Sequence, residues 1–262
     1  MTYLNAYLFT FGIILGLMTL LWLVSLSIKN SSIVDIFWGT GFVIANWVYF
    51  ILSPDGSPTR KVLLAVLVTI WGLRLTIHIL TRNWGKPEDF RYQKWRVEAG
   101  KSWWWKSWLR VFLLQSVLLW IISAPLLAVN RAAFPSGLNW IDYLGVIIWL
   151  IGFFFESVGD VQLVRFKKDP ANKGKLMTGG VWQYTRHPNY FGDAAQWWGY
   201  FLLALACGGW WTIFSPILMT FFLVRVSGVA LLEKTMSMRE GYQDYIQSTS
   251  AFIPWFPKKP RM

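Results

Sequence analysis

The sequence predicts an all-α polytopic membrane protein with seven transmembrane helices, its N-terminus outside and its C-terminus in the cytoplasm. Three observations predict it: the composition, the lengths of the apolar runs and the distribution of basic residues. The 262-residue chain is 55% hydrophobic and only 15% charged, with 19 Trp and 19 Phe, whereas soluble domains carry about 25% charged residues. Apolar runs fall at residues 5–28, 33–52, 62–81, 109–129, 141–163, 189–207 and 210–232, each near the roughly 20 residues needed to cross about 30 Å of hydrocarbon.

The net charge of +12 fits either nucleic acid or a membrane face, and placement separates the two. Of the 25 Lys and Arg, 20 lie in the loops after the first, third, fifth and seventh runs, against Arg60, Lys61 and Arg131 on the other side. Arg74 and Arg225 lie within runs. Such asymmetry is the positive-inside signal of a membrane protein, so no nucleic-acid partner is expected. A single cysteine, Cys207, and two histidines, His78 and His187, exclude a disulfide framework within the chain and make a metal centre unexpected.

The first run lacks a basic leader and is too long for a signal-peptide core, so it reads as a retained helix. Gly12 and Gly16 within it form a G-x-x-x-G helix-packing pattern. The second run opens on Asp35; its Gly39-Thr40-Gly41 lacks the third glycine of a dinucleotide fingerprint and reads as helix packing. Asn30-Ser31-Ser32 matches a glycosylation sequon, but the topology puts it in the cytoplasm. The third run carries Arg74 and His78, which share a face at i, i+4. Trp103-Trp104-Trp105-Lys106-Ser107-Trp108 precedes the fourth run, where indole rings favour the membrane interface. Neither an internal repeat nor a low-complexity linker is present, so residues 1–262 read as one membrane domain.

Charged groups inside the bilayer usually pair or line a polar cavity, because burying one in hydrocarbon costs about 2.5–3.5 kcal/mol. Here they are numerous: Asp35, Arg74, His78, Glu156, Asp160, Asp193, Arg225 and Glu233. Most map to the cytoplasmic half, beneath the basic loops. A cavity open to the cytoplasm, roofed by cations that can neutralise phosphate, is the economical reading. Walker, H-E-x-x-H and G-x-S-x-G patterns are absent, so hydrolase and ATPase readings have no local support.

The richest segment runs Leu176-Met177-Thr178-Gly179-Gly180-Val181-Trp182-Gln183-Tyr184-Thr185-Arg186-His187-Pro188-Asn189-Tyr190-Phe191-Gly192-Asp193. With the later Gly241-Tyr242-Gln243-Asp244-Tyr245 and Ile253-Pro254, it resembles the steroid 5-alpha-reductase family, including its bacterial members, from about Gly159 to Pro257. The resemblance implies a seven-helix bundle in which the last helices and cytoplasmic loops, residues 141–257, enclose NADPH, while residues 1–129 hold a lipophilic steroid or enone. It carries a cofactor-binding acid onto Asp160, phosphate-binding cations onto Lys167 and Lys175, an Asn and an acid onto Asn189 and Asp193, and an arginine of the last helix onto Arg225.

The chemistry of the residues is compatible with those roles. Arg165, Lys167, Lys175 and Arg186 suit phosphates; Asn189, Asp193 and Asp160 suit ribose hydroxyls or the carboxamide. Tyr184, His187 and Tyr190 of the same segment, with Glu156 and Glu233, complete the expected cofactor set, and Gly179 and Gly180 permit close backbone approach. Animal members of the family carry a Gln-Glu pair in the second span and a Tyr in the third. This chain has Val34-Asp35 and Trp71 there, so Asp35, Trp38 and Trp71 are the expected substrate contacts. Asp35 is the nominated catalytic acid, a carboxylic acid kept protonated by an apolar pocket, with Arg74 or His78 orienting it. The competing reading is a membrane S-adenosylmethionine-dependent methyltransferase resembling the isoprenylcysteine carboxyl methyltransferases, which share an R-H-P-x-Y segment. The expected location is a bacterial inner membrane or the endoplasmic reticulum.

Overall fold

The computed structural model describes residues 1–226 and 228–258. Ser227, inside the seventh expected span, and Lys259 and Arg261 of the charge distribution lie outside them. Among the described residues the secondary structure is helical throughout, apart from an isolated bridge between Thr185 and Ser250. Five helical runs are long and apolar enough to cross a membrane: Tyr3–Ser27, Ile33–Ile51, Pro58–Asn83, Phe90–Arg131 and Trp140–Lys168. The chain is therefore a polytopic integral membrane protein.

Contacts divide the chain into two compact units, one of residues 1–138 with 207–212 and one of residues 139–206 with 213 onward. The first unit contains α1 (Tyr3–Ser27), α2 (Ile33–Ile51) and α3 (Pro58–Asn83), followed by α4 (Phe90–Ala99), α5 (Trp103–Ser107), α6 (Leu114–Ile122) and α7 (Ala124–Arg131). Glycine lets α2 and α3 touch backbone to backbone: a Cβ on Gly72 would stand 2.6 Å from the Gly39 carbonyl oxygen. Thr40 and Thr76 join hydroxyls at 2.8 Å across the same contact. The reading of Gly39 as a packing residue holds. Gly12 and Gly16 differ, since nothing lies within 4 Å of a Cβ on either.

Helix α1 is fixed by aromatic residues. Tyr7 and Trp120 stack with ring centroids 4.4 Å apart, and each side chain donates to the other's backbone region, Tyr7 Oη to Trp120 O at 3.0 Å and Trp120 Nε1 to Tyr7 O at 3.0 Å. The tryptophan run expected at the interface divides in two. Trp104 and Trp105 are exposed, whereas Trp103 is 3% exposed and lies under the Arg96 guanidinium, 5.5 Å from its ring. A π-helical turn at Trp108–Leu113 connects α5 to α6. Such turns form i→i+5 bonds and shift the face on which later residues fall, and Gln115 lies just beyond it.

The second unit contains α8 (Trp140–Lys168), α9 (Pro188–Leu205), α10 (Phe214–Phe221), α11 (Val229–Met236) and α12 (Tyr242–Ser248). Asn139 and Asp142 start α8 with a reciprocal capping box, which satisfies otherwise orphaned amides. Helices α8 and α9 approach through glycine on both sides. A Cβ on Gly199 would meet the Gly145 carbonyl oxygen at 2.8 Å, and one on Gly152 would meet the Gly192 carbonyl oxygen at 2.6 Å. Side chains would hold the helices further apart.

The seventh expected span is not one helix. The apolar run Trp210–Val226 ends in a π-helical turn at Phe222–Val226, and α11 begins separately at Val229. Gly228, between them, has φ −112° and ψ −105°, a conformation that interrupts the helix.

Candidate functional site

In the first unit, three donors converge on Asp35. Tyr92 Oη donates to Asp35 Oδ1 at 2.7 Å, Arg91 Nη2 to Oδ2 at 3.1 Å and Gln115 Nε2 to Oδ1 at 3.3 Å. Gln115 Nε2 also approaches Tyr92 Oη at 3.4 Å, and its Oε1 is buried without a hydrogen-bond partner. Tyr92 is 4% exposed. Asp35 is the shared partner of all three side chains.

The elements explain the convergence. Asp35 lies in the first turn of α2, where a carboxylate is favoured by the helix dipole. Helix α4 is tied beside it by Glu88, whose carboxylate takes the Ser31 amide at 2.6 Å and two Arg96 donors at 2.8 Å each. Burial alone pushes Glu88 up, but the Arg96 hydrogen bond and the Ser31 amide overcome it and hold the carboxyl below the usual glutamate range. Asp89 caps α4 through the Arg91 amide at 3.0 Å and also holds the Arg91 guanidinium at 2.9 Å. Arg91 and Tyr92 are thereby aimed at α2.

The other first-unit candidates occupy distinct places. Arg74 and His78 are half-buried on α3; the orienting partners resolved around Asp35 are Arg91, Tyr92 and Gln115. Trp71 is fully buried and packs on Phe42 with centroids 5.8 Å apart, while half-buried Trp38 meets Phe42 edge-on at 5.2 Å. Phe42 thus lies in contact with both tryptophans.

In the second unit, the segment 176–193 is clamped to α8. Gly180, at φ +62°, turns the chain so that the Val181 amide reaches Gln162 Oε1 at 3.0 Å, and Trp182 Nε1 donates to the Gly159 carbonyl at 3.1 Å. The segment is also pinned to residues 245–255. Arg186 N donates to Ser250 O at 2.9 Å, Trp255 N to Tyr184 O at 2.9 Å, Thr185 Oγ1 to Phe252 O at 2.9 Å, and Tyr245 Oη to the Trp182 carbonyl.

Arg186 and His187 share Glu233. Arg186 donates to Glu233 Oε1 from Nε at 2.9 Å and from Nη2 at 2.7 Å, and its Nη1 is directed at the Ile246 and Thr249 carbonyls. His187 Nε2 lies 3.3 Å from the same Glu233 oxygen, and its ring stacks on Tyr190 at 5.7 Å. Burial pushes the His187 imidazole below the usual histidine range, against the opposing pull of Glu233.

Asn189 Nδ2 donates to Asp160 Oδ1 at 3.2 Å, joining two expected cofactor residues across α8 and α9. Glu156, 3% exposed, accepts from Gln196 Nε2 at 2.6 Å, and Asp193 is buried nearby in α9. Arg165, Lys167 and Lys175 are exposed at and beyond the end of α8, and Arg225 is exposed on the π-helical turn. The donor set fits a phosphorylated nucleotide: exposed cations suit phosphates, and the half-buried Asn189 amide paired with the buried Asp160 carboxylate suits sugar hydroxyls. A Cβ on Gly228 would approach Tyr190 Cδ2 at 3.1 Å, so Gly228 lies beside the motif.

Sequence reasoning missed Tyr92, Arg91 and Gln115 as one site. Tyr92 and Arg91 sit in a basic loop that was informative only about topology; Gln115, a lone amide in an apolar run, is the signal that was available. Gln162 was missed, and Tyr245 was read only as part of the closing motif, because their partners are set by tertiary pairing.

A family described as protein of unknown function (DUF1295) matches residues 21–249, and the chain belongs to that family. An uncharacterized protein of Schizosaccharomyces pombe is 27% identical over 248 residues, covering 81% of this chain and 70% of the relative. The Probable O-methyltransferase ustE of Ustilaginoidea virens is 34% identical over 127 residues, 48% of this chain and 43% of that protein. The 3-oxo-5-alpha-steroid 4-dehydrogenase 1 of Bos taurus is 33% identical over 66 residues, 25% of this chain and 26% of that protein. The chain thus spans less than half the length of these last two relatives. No solved structure matches it.

Proposed function

We propose that this protein is an NADPH-dependent reductase of a lipid-soluble enone, a 3-oxo-4-ene steroid or a similar compound, with a seven-span topology. The observation that carries the reading is the convergence of Tyr92, Arg91 and Gln115 on Asp35 within an apolar helical unit. Partial similarity to a steroid 4-dehydrogenase supports the substrate class. The α9 helix and the run Trp210–Val226 supply the sixth and seventh spans. The basic-residue asymmetry puts the N-terminus outside and the C-terminus in the cytoplasm, as in a bacterial inner membrane or the endoplasmic reticulum.

The chemistry NADPH supplies when bound is a hydride for the β-carbon of the enone. Residues 1–129 hold the lipid and residues 141–257 the nucleotide, within one membrane domain. Lys167, Lys175, Arg165 and Arg225 take the phosphates; Asn189, Asp160 and Asp193 take ribose or carboxamide groups; Tyr184, Tyr190 and Glu156 shape the wall. Arg186, His187 and Glu233 act together as the scaffold that holds this surface in position. At the carbonyl end, negative charge develops on oxygen as the β-carbon is reduced. The Tyr92 hydroxyl turns from Asp35 to donate to that oxygen, and the enolate so held takes a proton from water at the α-carbon to give the saturated ketone, while Arg91 compensates the carboxylate left behind and Gln115 steadies the phenol. Arg74 and His78 on α3 orient the carbonyl end, and Trp38 and Trp71 flank the lipid.

A second reading, an S-adenosylmethionine-dependent methyltransferase, is favoured by the similarity to the Ustilaginoidea virens protein over 127 residues. That cofactor has no phosphate, whereas Arg165, Lys167, Lys168, Lys173 and Lys175 gather at and beyond the end of α8. Thermal unfolding of the detergent-purified protein with NADPH, NADH or S-adenosylmethionine distinguishes them, since a specific ligand stabilises by mass action. Stabilisation by NADPH is expected; stabilisation by S-adenosylmethionine alone overturns the reductase.

A further inference from the structure

We propose that Ile253–Lys258 is a lipid-binding edge that engages anionic headgroups of the adjoining leaflet and thereby holds the segment 176–193 in place. Its backbone is already committed to the second unit: the Trp255 amide donates to Tyr184 O at 2.9 Å and the Lys258 amide to Ser248 O at 2.8 Å. Three of its apolar side chains are nevertheless left largely uncovered. Ile253 is 66% exposed, Trp255 67% and Phe256 77%, an apolar surface out of place in water on a membrane protein.

The chemistry of the edge selects its partner. Indole and phenyl rings beside a cation are the residues that settle at the headgroup level, and Lys258 is followed in the sequence by Lys259 and Arg261, a cluster that complements anionic lipid. Pro254 and Pro257 lack amide protons, so this stretch is a poor template for adding a strand from another protein. The connection to the motif is direct: Phe256 meets the Tyr184 ring edge-on at 6.4 Å, and the bond from Trp255 to Tyr184 lies two residues from Arg186. The inference stands whichever cofactor the protein uses.

The full chain in lipid nanodiscs tests it. An environment-sensitive fluorophore is placed at Ile253→Cys in a Cys207→Ala background, leaving Trp255, Phe256 and Lys258 intact. In discs containing about 30 mol% phosphatidylglycerol, the label is expected to be blue-shifted and quenched more by shallow than by deep spin-labelled lipid. Quenching is expected to fall at least twofold in pure phosphatidylcholine, in high salt and in Lys258→Glu. Should the Cys207→Ala background fail to fold, chymotrypsin cleavage of wild type at the Trp255–Phe256 bond is the second measurement, expected to be several-fold slower with the anionic lipid. Water-like emission with no quenching overturns the proposal, as does quenching or cleavage indifferent to lipid charge.

Discussion

The hydroxyl of Tyr92 reaches Asp35 at 2.7 Å although 57 residues separate them. Helix α4 supplies the phenol and α2 the carboxylate, and the Glu88 clasp holds the two together. If the phenol polarises a substrate carbonyl, Tyr92→Phe should lower enone turnover by about 10²-fold, the usual scale for a positioned proton donor. Affinity for NADPH should not change, because the cofactor candidates lie in the other unit. Steady-state kinetics alongside direct nucleotide binding check the split; equal losses of both assign Tyr92 to folding instead. Asp35→Asn is expected to act in the same direction.

Acid should loosen the same clasp. The folded-state carboxyl of Glu88 is held below the ordinary value of about 4.5, so the unfolded chain takes up its proton first as pH falls. Its contribution is complete above about pH 4.5 and is lost as the pH drops through the folded value. Thermal midpoints recorded from pH 7 to pH 3.5 should fall in the acid range, and Glu88→Gln should be less stable at neutral pH with a flatter acid limb. An unchanged acid limb in the variant removes Glu88 from that role.

The exposed cations should discriminate between nucleotides. Lys175→Ala and Lys167→Ala are each expected to weaken NADPH about tenfold, the scale of one charge-assisted hydrogen bond, with NADH much less affected if either contacts the 2′-phosphate. Titration of both nucleotides at two salt concentrations provides the comparison. Identical losses for NADPH and NADH transfer these lysines to the diphosphate.

Close contact between α8 and α9 makes a steric prediction. A Cβ on Gly192 would lie 2.5 Å from the Glu156 amide nitrogen and 2.6 Å from Glu156 Cβ, so Gly192→Ala has to push the helices apart. Overpacking of this kind costs about 1–3 kcal/mol, visible as a lower melting temperature in detergent. Gly12→Ala on α1, with open space beside it, should leave the melting temperature unchanged.

The parts of the fold that depend on composition and local pattern were legible in the sequence. Apolar length disclosed the membrane-crossing helices α1, α2, α3 and α8, and Gly39 was readable as a packing residue because no cofactor fingerprint could explain it. The tertiary pairings were not legible. Tyr92 looks like an ordinary loop tyrosine until Glu88 and Arg96 fold α4 against the α1–α2 turn, and nothing in the spacing of Gln162 and Val181 announces their bond. The interruption at Gly228 was also concealed, because hydropathy averages across a run and does not register the backbone of one glycine. Arg186 illustrates the limit for side chains: its charge suggested phosphate, while the fold directs its donors to Glu233 and two carbonyls.

Gly145, Gly152, Gly192 and Gly199 leave no room for a side chain at their contacts between α8 and α9, so a bulky guest could not enter the second unit through that seam without prising the two helices apart.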